Sequence, residues 1–206
     1  MNLFACDNDP GISARSLPDK HVVKMCIENA QMLAVAVGDL HGFGWGQLRK
    51  KDDSYYSQKA HVNHPSTKWV RASYANLAWT ICHGFALCHE YTVRYGKIHA
   101  SQKAHYDAAV LFAANVGALS CWRDHDDFAR AMPEYIKYDD TITSVEAYRK
   151  YLTLEKPWAV WKLESRKPDW WNPSLYTECL LPSTANPIKL TENLSIPNSM
   201  SAFSLP

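Results

Sequence analysis

The stretch from Asp19 to Val37 constrains the fold more than any other part of the chain. At 100° per residue, the apolar side chains of Val22, Val23, Met25, Ile27, Ala30, Met32, Leu33 and Val35 fall at almost every angle. A helix that is apolar nearly all round has to be wrapped by other elements, so it sits at the centre of its fold. Pro18 stands just before the stretch and Gly38 just after it, which predicts a helix from Asp19 to Val37. One polar seam interrupts the apolar surface. His21, Lys24, Glu28 and Gln31 stack within an arc of roughly 80°. Four polar side chains on a buried helix face either partners or a cleft, because unpaired burial costs several kcal/mol. In the plainer reading the seam faces solvent and Glu28 pairs with Lys24 one turn away. In the functional reading Glu28 is an acid/base or electrostatic stabiliser, His21 its neighbour, and Lys24 holds an anion.

The rest of the chain supplies the wrapping. A second helix is predicted from Pro65-Ser66-Thr67 to Tyr95, with Gly96 as its stop, and a third from Gln102 to Leu119, with Ser101 as candidate cap. Thr143-Ser144-Val145-Glu146 reads as a capping box that opens a short helix to about Leu154. After Pro157 another short helix is expected from Trp158 to Glu164. Asp7-Asn8-Asp9-Pro10-Gly11 reads as a turn cluster. Residues 38–66 and 120–142 are long loops. Strand signals are nearly absent. The expected architecture is all-α: a compact helical bundle of residues 1–171 with long loops, followed by an extended tail, 172–206, rich in Pro, Ser and Asn.

Composition narrows the function classes. With 47% hydrophobic and 21% charged residues, a chain of this length can bury its own core. No window reaches the ~18 apolar residues of a membrane span, and Met1 to Asp7 lack the basic-then-apolar order of a signal peptide. A cytoplasmic protein without membrane partner is expected. Its six cysteines form no C-x-x-C motif, which favours reduced, buried thiols. Lys and Arg number 22 against 21 Asp and Glu, so no large positive field is available, although a local basic face remains open. Phosphate-loop, G-x-S-x-G and zinc-deaminase motifs are missing.

A second seam recurs every seventh residue through Trp69, Asn76, His83 and Glu90, with Arg94 four residues further on. It reads either as a polar seam between packed helices or as the far wall of the cleft beside Glu28. Lys68 and Arg71, at the opening of that helix, are candidate phosphate contacts. Ser165-Arg166-Lys167-Pro168-Asp169-Trp170-Trp171 sets two cations against two indoles, either to close the core or to meet phosphates and a base. His61 and His64, completed by Asp7, Asp9 or His41, form a weaker candidate metal site for a hydrolase or nuclease.

Asp19-Lys20-His21 with Glu28 seven residues beyond the histidine, together with Lys167-Pro168-Asp169-Trp170-Trp171, resembles the phage pyrimidine-dimer DNA glycosylase/AP-lyase family. The run Asp19 to Leu33, with His64-Pro65 and Tyr91 to His99, is also similar to a group of uncharacterised phage proteins. The resemblance implies a compact all-α fold with a long N-terminal segment running between helices. It implies double-stranded DNA as partner, with no cofactor, no metal and no obligate protein partner. By that resemblance the α-amine attacks the deoxyribose anomeric carbon, displaces a damaged or modified pyrimidine, and forms an imine from which β-elimination cuts the strand. A reference pKa of about 8 leaves an α-amine with a nucleophilic neutral fraction near pH 7. Asn2 predicts that Met1 is retained, so the amine is that of Met1. Glu28 then matches the essential carboxylate, His21 a DNA-contacting residue by the cleft, and Trp170 and Trp171 an aromatic wall. Lys20, Lys24, Gln31, Lys68, Arg71, Asn76, His83, Arg94, Arg166 and Lys167 complete the expected DNA-binding set. The family's arginines after the histidine are replaced here by Ile27 and Gln31. A base-modifying enzyme, a metal-assisted nuclease, and a non-catalytic phage DNA-binding or host-interaction protein are the alternatives.

Overall fold

The computed structural model describes residues 1–174. All of the predicted tail except Asn172, Pro173 and Ser174 lies outside them. Among the described residues the protein is all-helical, with one isolated antiparallel bridge between Arg49 and Tyr55. Among the described residues no helix is long and apolar enough to cross a membrane. The described residues form seven α-helices in order: α1 Pro10–Ser16, α2 Asp19–Val37, α3 Pro65–Val70, α4 Tyr74–Tyr95, α5 Gln102–Asn115, α6 Glu134–Lys137 and α7 Ser144–Glu155. Short 3₁₀ turns span Leu119–Asp124 and Glu164–Arg166.

Helix α2 has the predicted bounds and the predicted central place. It packs on α3, α4 and α5, while α4 also packs on α1 and the Leu119–Asp124 turn. Val22, Met25, Cys26, Ala30, Met32, Leu33 and Val35 are buried, and only Val23 and Ile27 of the apolar set are exposed. Each buried aliphatic side chain contributes about 1.5–3 kcal/mol of transfer free energy, which fixes the rotation of α2 about its axis. Gly84 lets the neighbours approach, since a Cβ there would lie 2.0 Å from the His105 ring of α5 and 2.7 Å from Asn29 of α2. Gly96 ends α4 in the left-handed conformation (φ 67°), as a glycine stop does.

Four helical expectations are corrected. The predicted second helix is two. The chain turns at Arg71 and Ala72, and the Ser73 hydroxyl caps α4 by accepting the Asn76 N–H (3.1 Å). The third helix stops at Asn115, ahead of Gly117 (φ 117°), and Ser101 makes no side-chain cap bond. The turn cluster opens a true helix: Asp9 accepts the Gly11 and Ile12 N–H groups and Pro10 takes the first helical position. Residues 158–163 are not helical, because Asp19 claims their backbone. The Asp19 N–H donates to the Val160 carbonyl (2.9 Å), and the Asp19 carboxylate accepts the Lys162 N–H (2.7 Å). The Thr143–Glu146 capping box is present as predicted.

Ahead of α1 an extended segment threads into the core, with Leu3, Phe4, Ala5 and Cys6 all buried. Its polar groups bond both within the segment and to distant parts of the chain. The Asn2 side chain accepts the Leu3 N–H (2.8 Å) and donates to the Ala131 carbonyl (2.6 Å). The Cys6 N–H donates to Ser13 Oγ (3.1 Å), and Arg149 Nε donates to the Cys6 carbonyl (2.8 Å). Phe4 adopts a left-handed φ of 48°, a conformation that costs a non-glycine residue energy and that these bonds hold in place.

Candidate active site

The buried N-terminal segment delivers the chain's α-amine to the middle of α2. Glu28 is 9% exposed. Its Oε2 accepts the Asn2 backbone N–H at 2.9 Å and lies 3.7 Å from the Met1 ammonium, while Oε1 pairs with Lys24 Nζ at 3.0 Å. The Met1 side chain is held from the other side by Thr67, whose hydroxyl donates to Met1 Sδ (3.2 Å). His64 lies close enough to the amine for that charge, after burial, to push its imidazole below the usual histidine range. Three elements thus fix one amine against one carboxylate: α2, the opening of α3, and the Asn2 anchor to Ala131.

A cleft of about 360 Å³ opens over this pair. His21 lies in its wall, 5% exposed, stacked on Trp158 (ring centroids 5.4 Å apart, 7° between planes) and edge-on to Phe4 (4.5 Å). Burial, then the Lys156 and Lys24 ammonium groups, lower its pKa to about 4, with Glu28 opposing. The imidazole is therefore neutral near pH 7, and its buried Nδ1 has no hydrogen-bond partner among the described residues. Lys20 Nζ sits 4.9 Å from the Trp158 ring, and Lys156 Nζ 5.1 Å from that of Tyr151, which stacks on Phe4. One carboxylate thus faces an amine, three lysines and three aromatic rings.

Met1, Lys20, His21, Lys24 and Glu28 all line this cleft. The remaining expected residues go elsewhere. Gln31 lines a neighbouring hollow of about 680 Å³ with Lys50, Lys51 and Tyr56. Lys68 is exposed on α3, and Arg71 donates to the His41 carbonyl (2.7 Å). The second seam is interior. Asn76 is fully buried, bonded to the Trp69 carbonyl and twice to Asp126. His83 is 1% exposed against Trp79, its pKa lowered by burial to about 3. Arg94, 2% exposed, is bonded to Glu90, Asp19 and the carbonyls of Leu17 and Arg15. None of these three presents a group at the surface: Asn76 and Arg94 are buried and bonded within the protein, and His83 is buried with neither ring nitrogen hydrogen-bonded among the described residues. Arg166, Lys167 and Trp170 line a separate cleft with Asp7, Arg15 and Arg149, and Trp171 packs edge-on to Trp161 (4.9 Å).

The aromatic wall beside Glu28 is therefore Trp158 and Tyr151, not Trp170 and Trp171. Sequence reading passed over both. The available signal was Lys156-Pro157-Trp158, the same basic–proline–aromatic pattern as at 167–171. The candidate metal ligands do not converge either. Asp7 pairs with Arg149 (3.2 Å), Asp9 caps α1, His64 Nδ1 caps α3, and His61 is exposed. Among the described residues the one group of three metal-capable side chains that meets is Cys26, Cys88 and His99. Cys26 and Glu28, two residues apart on α2, point about 160° away from each other.

No curated protein and no solved structure matches the chain. The family model described as pyrimidine dimer DNA glycosylase matches residues 1–103. That half of the 206 residues holds the amine, Lys20, His21, Lys24 and Glu28. By that match the chain belongs to the pyrimidine dimer DNA glycosylase family.

Proposed function

We propose that the protein is a DNA N-glycosylase with AP-lyase activity, acting on damaged or modified pyrimidines in duplex DNA. The observation that carries this reading is the Met1 amine 3.7 Å from the carboxylate of Glu28, on the floor of a lysine-rimmed cleft. Glu28 takes a proton from the ammonium, which frees the nitrogen lone pair. The amine attacks C1′ of the deoxyribose as the C1′–base bond breaks, and the base leaves with the bonding pair and takes up a proton. Loss of a further proton and ring opening give an imine between Met1 and C1′. Abstraction of a C2′ proton then expels the 3′ phosphate and cuts the strand. Throughout, the carboxylate stabilises positive charge at C1′ and nitrogen. Lys20, Lys24 and Lys156 meet flanking phosphates, and Trp158 offers a stacking face to a base taken out of the helix.

The test is borohydride reduction of the protein mixed with duplex DNA that contains one abasic site. A covalent adduct is expected, and its mass after proteolysis places the sugar on Met1. An adduct on Asn2 would mean that Met1 had been removed, leaving the 2.9 Å nitrogen as the nucleophile. No adduct, or one that survives acetylation of the amine, overturns the reading.

A further inference from the structure

On the side of α2 turned away from Glu28, two thiols and an imidazole come together from three separate parts of the chain. Cys26 belongs to α2, Cys88 to α4, and His99 to the connection between α4 and α5. Their donor atoms all lie within 4.8 Å of one another. Cys26 is 0%, Cys88 2% and His99 8% exposed. We propose that these three residues bind a thiophilic metal ion of the zinc(II) class, which would clamp the helix carrying the candidate active site to α4 and to the start of α5.

The donor set selects the ion. Thiolate and imidazole ligands suit zinc, whereas magnesium and calcium demand oxygen. Metallation takes one proton from each thiol to solvent. The two thiolate charges then cancel the ion's two positive charges, so the filled site is neutral, as a buried site requires. In the metal-free state Cys26 donates to the Val22 carbonyl (3.3 Å), and His99 Nδ1 accepts the Ser101 N–H (3.1 Å). Binding the ion needs a lone pair on one ring nitrogen of His99, and it exchanges local hydrogen bonds of this kind for coordinate bonds.

Zn–S of about 2.3 Å and Zn–N of about 2.0–2.1 Å in a tetrahedron set donor separations of about 3.4–3.8 Å, so the cluster has to contract by no more than about 1 Å, within reach of side-chain rotation. The fourth position falls to water: His105 Nδ1 lies 3.7 Å from Cys88 Sγ but donates to the Ser101 carbonyl (2.8 Å), so it offers no lone pair there. Cys88 and His99 border two adjoining surface hollows that share Ile98 and Gln102, which gives an ion a route inward.

The full chain, purified under reducing conditions, is analysed for bound metal and titrated with cobalt(II), then with zinc(II). About one equivalent of zinc is expected. A thiolate-to-cobalt charge-transfer band should grow to one equivalent and vanish as zinc displaces cobalt. Cys26→Ser and Cys88→Ser should each abolish the band, whereas Cys82→Ser, on α4 but outside the cluster, should keep it. The absence of a thiolate band in the unsubstituted protein overturns the proposal even if neither variant folds. So does metal content indifferent to Cys88→Ser, or a thiol count two short that maps to a Cys26–Cys88 disulfide. None of these readouts involves DNA, so the metal proposal and the glycosylase reading fail separately.

Discussion

Replacing Arg94 by Met asks whether the second polar seam belongs to the interior or to DNA. The Arg94 guanidinium is buried and makes four contacts: Glu90 at 3.2 Å, Asp19 at 3.0 Å, and the Leu17 and Arg15 carbonyls at 2.8 Å each. Removing one member of a buried charged cluster costs about 3–5 kcal/mol, because its partners stay buried without compensation. Here the partners keep part of their satisfaction. Glu90 retains Arg166 Nε (3.1 Å), and Asp19 retains the Lys162 N–H (2.7 Å). The lower part of the range applies, about 3–4 kcal/mol, and a chain of this size loses about 2–4 °C of Tm per kcal/mol. A fall of about 10 °C is expected by thermal circular dichroism. DNA affinity measured well below that Tm should stay within about twofold, with an unchanged salt dependence. A phosphate contact behaves oppositely: its loss lowers the slope of log K against log salt by about 0.9. A Tm within 2 °C of the parent, accompanied by such a loss of slope, would refute the interior assignment.

Glu28→Gln keeps an acceptor for the Asn2 N–H but removes the charge. Single-turnover imine formation should fall by about 10²–10⁴-fold. Stability should fall by less than for Arg94→Met, because the Gln amide still accepts the Asn2 N–H and the Lys24 partner is 70% exposed, although the buried Met1 ammonium loses its counter-charge. A large loss of Tm with trapping intact would make Glu28 structural. Trp158→Ala should weaken capture of abasic DNA by about tenfold, the value of one lost base stack, while Trp170→Ala should not; the reverse ranking would return the aromatic wall to residues 170–171. His21 and His83 are held neutral in the fold, with pKa values lowered from 6.5 to about 4 and about 3. The unfolded chain protonates them first as pH falls, so their stabilisation is complete above about pH 6.5 and is lost on acidification towards those lower values. At about 1.4 kcal/mol per pH unit, each removes about 2 kcal/mol between pH 6.5 and pH 5. Urea midpoints at pH 7 and pH 5 that coincide would contradict this burial.

How much of this was legible in the sequence depended on whether a signal was local. The bounds of α2 and the capping box of α7 are written in a few adjacent residues, and both were read correctly. Asp9-Pro10 carries an equally local signal, a cap followed by proline at the first helical position, and it opens a helix where the composition of 7–11 alone suggests a turn. The break between α3 and α4 hung on Ser73, a cap placed inside an otherwise helical run. Long-range placement was harder to read. His21 and His83 look alike as polar residues on apolar helices, yet one lines a cleft and the other is sealed against Trp79. Periodicity places both on a seam and says nothing about what covers it. Two Lys-Pro motifs with tryptophans follow α7. Only the pairing of Asp19 with Val160 and Lys162 decides which one lies against His21.

That pairing also separates two kinds of residue at the candidate site. The amine and the carboxylate lie within the first 28 residues, inside the stretch matched by the family model. Their geometry is over-determined. Burial on several faces fixes the rotation of α2, and Asn2 is bonded both to Glu28 through its backbone and to Ala131 through its side chain. Rigid placement of this kind is what charge stabilisation at a reacting carbon demands, since no reorganisation is then needed during the reaction. Tyr151, Lys156 and Trp158 come from outside the matched stretch and meet the cleft at the end of α7 and just beyond it, with Trp158 43% exposed. A wall attached through a short connection can change its residues without disturbing the buried pair. On the proposed function, the same pair can therefore be set against different walls, and the choice of base can vary while the amine and carboxylate stay where α2 puts them.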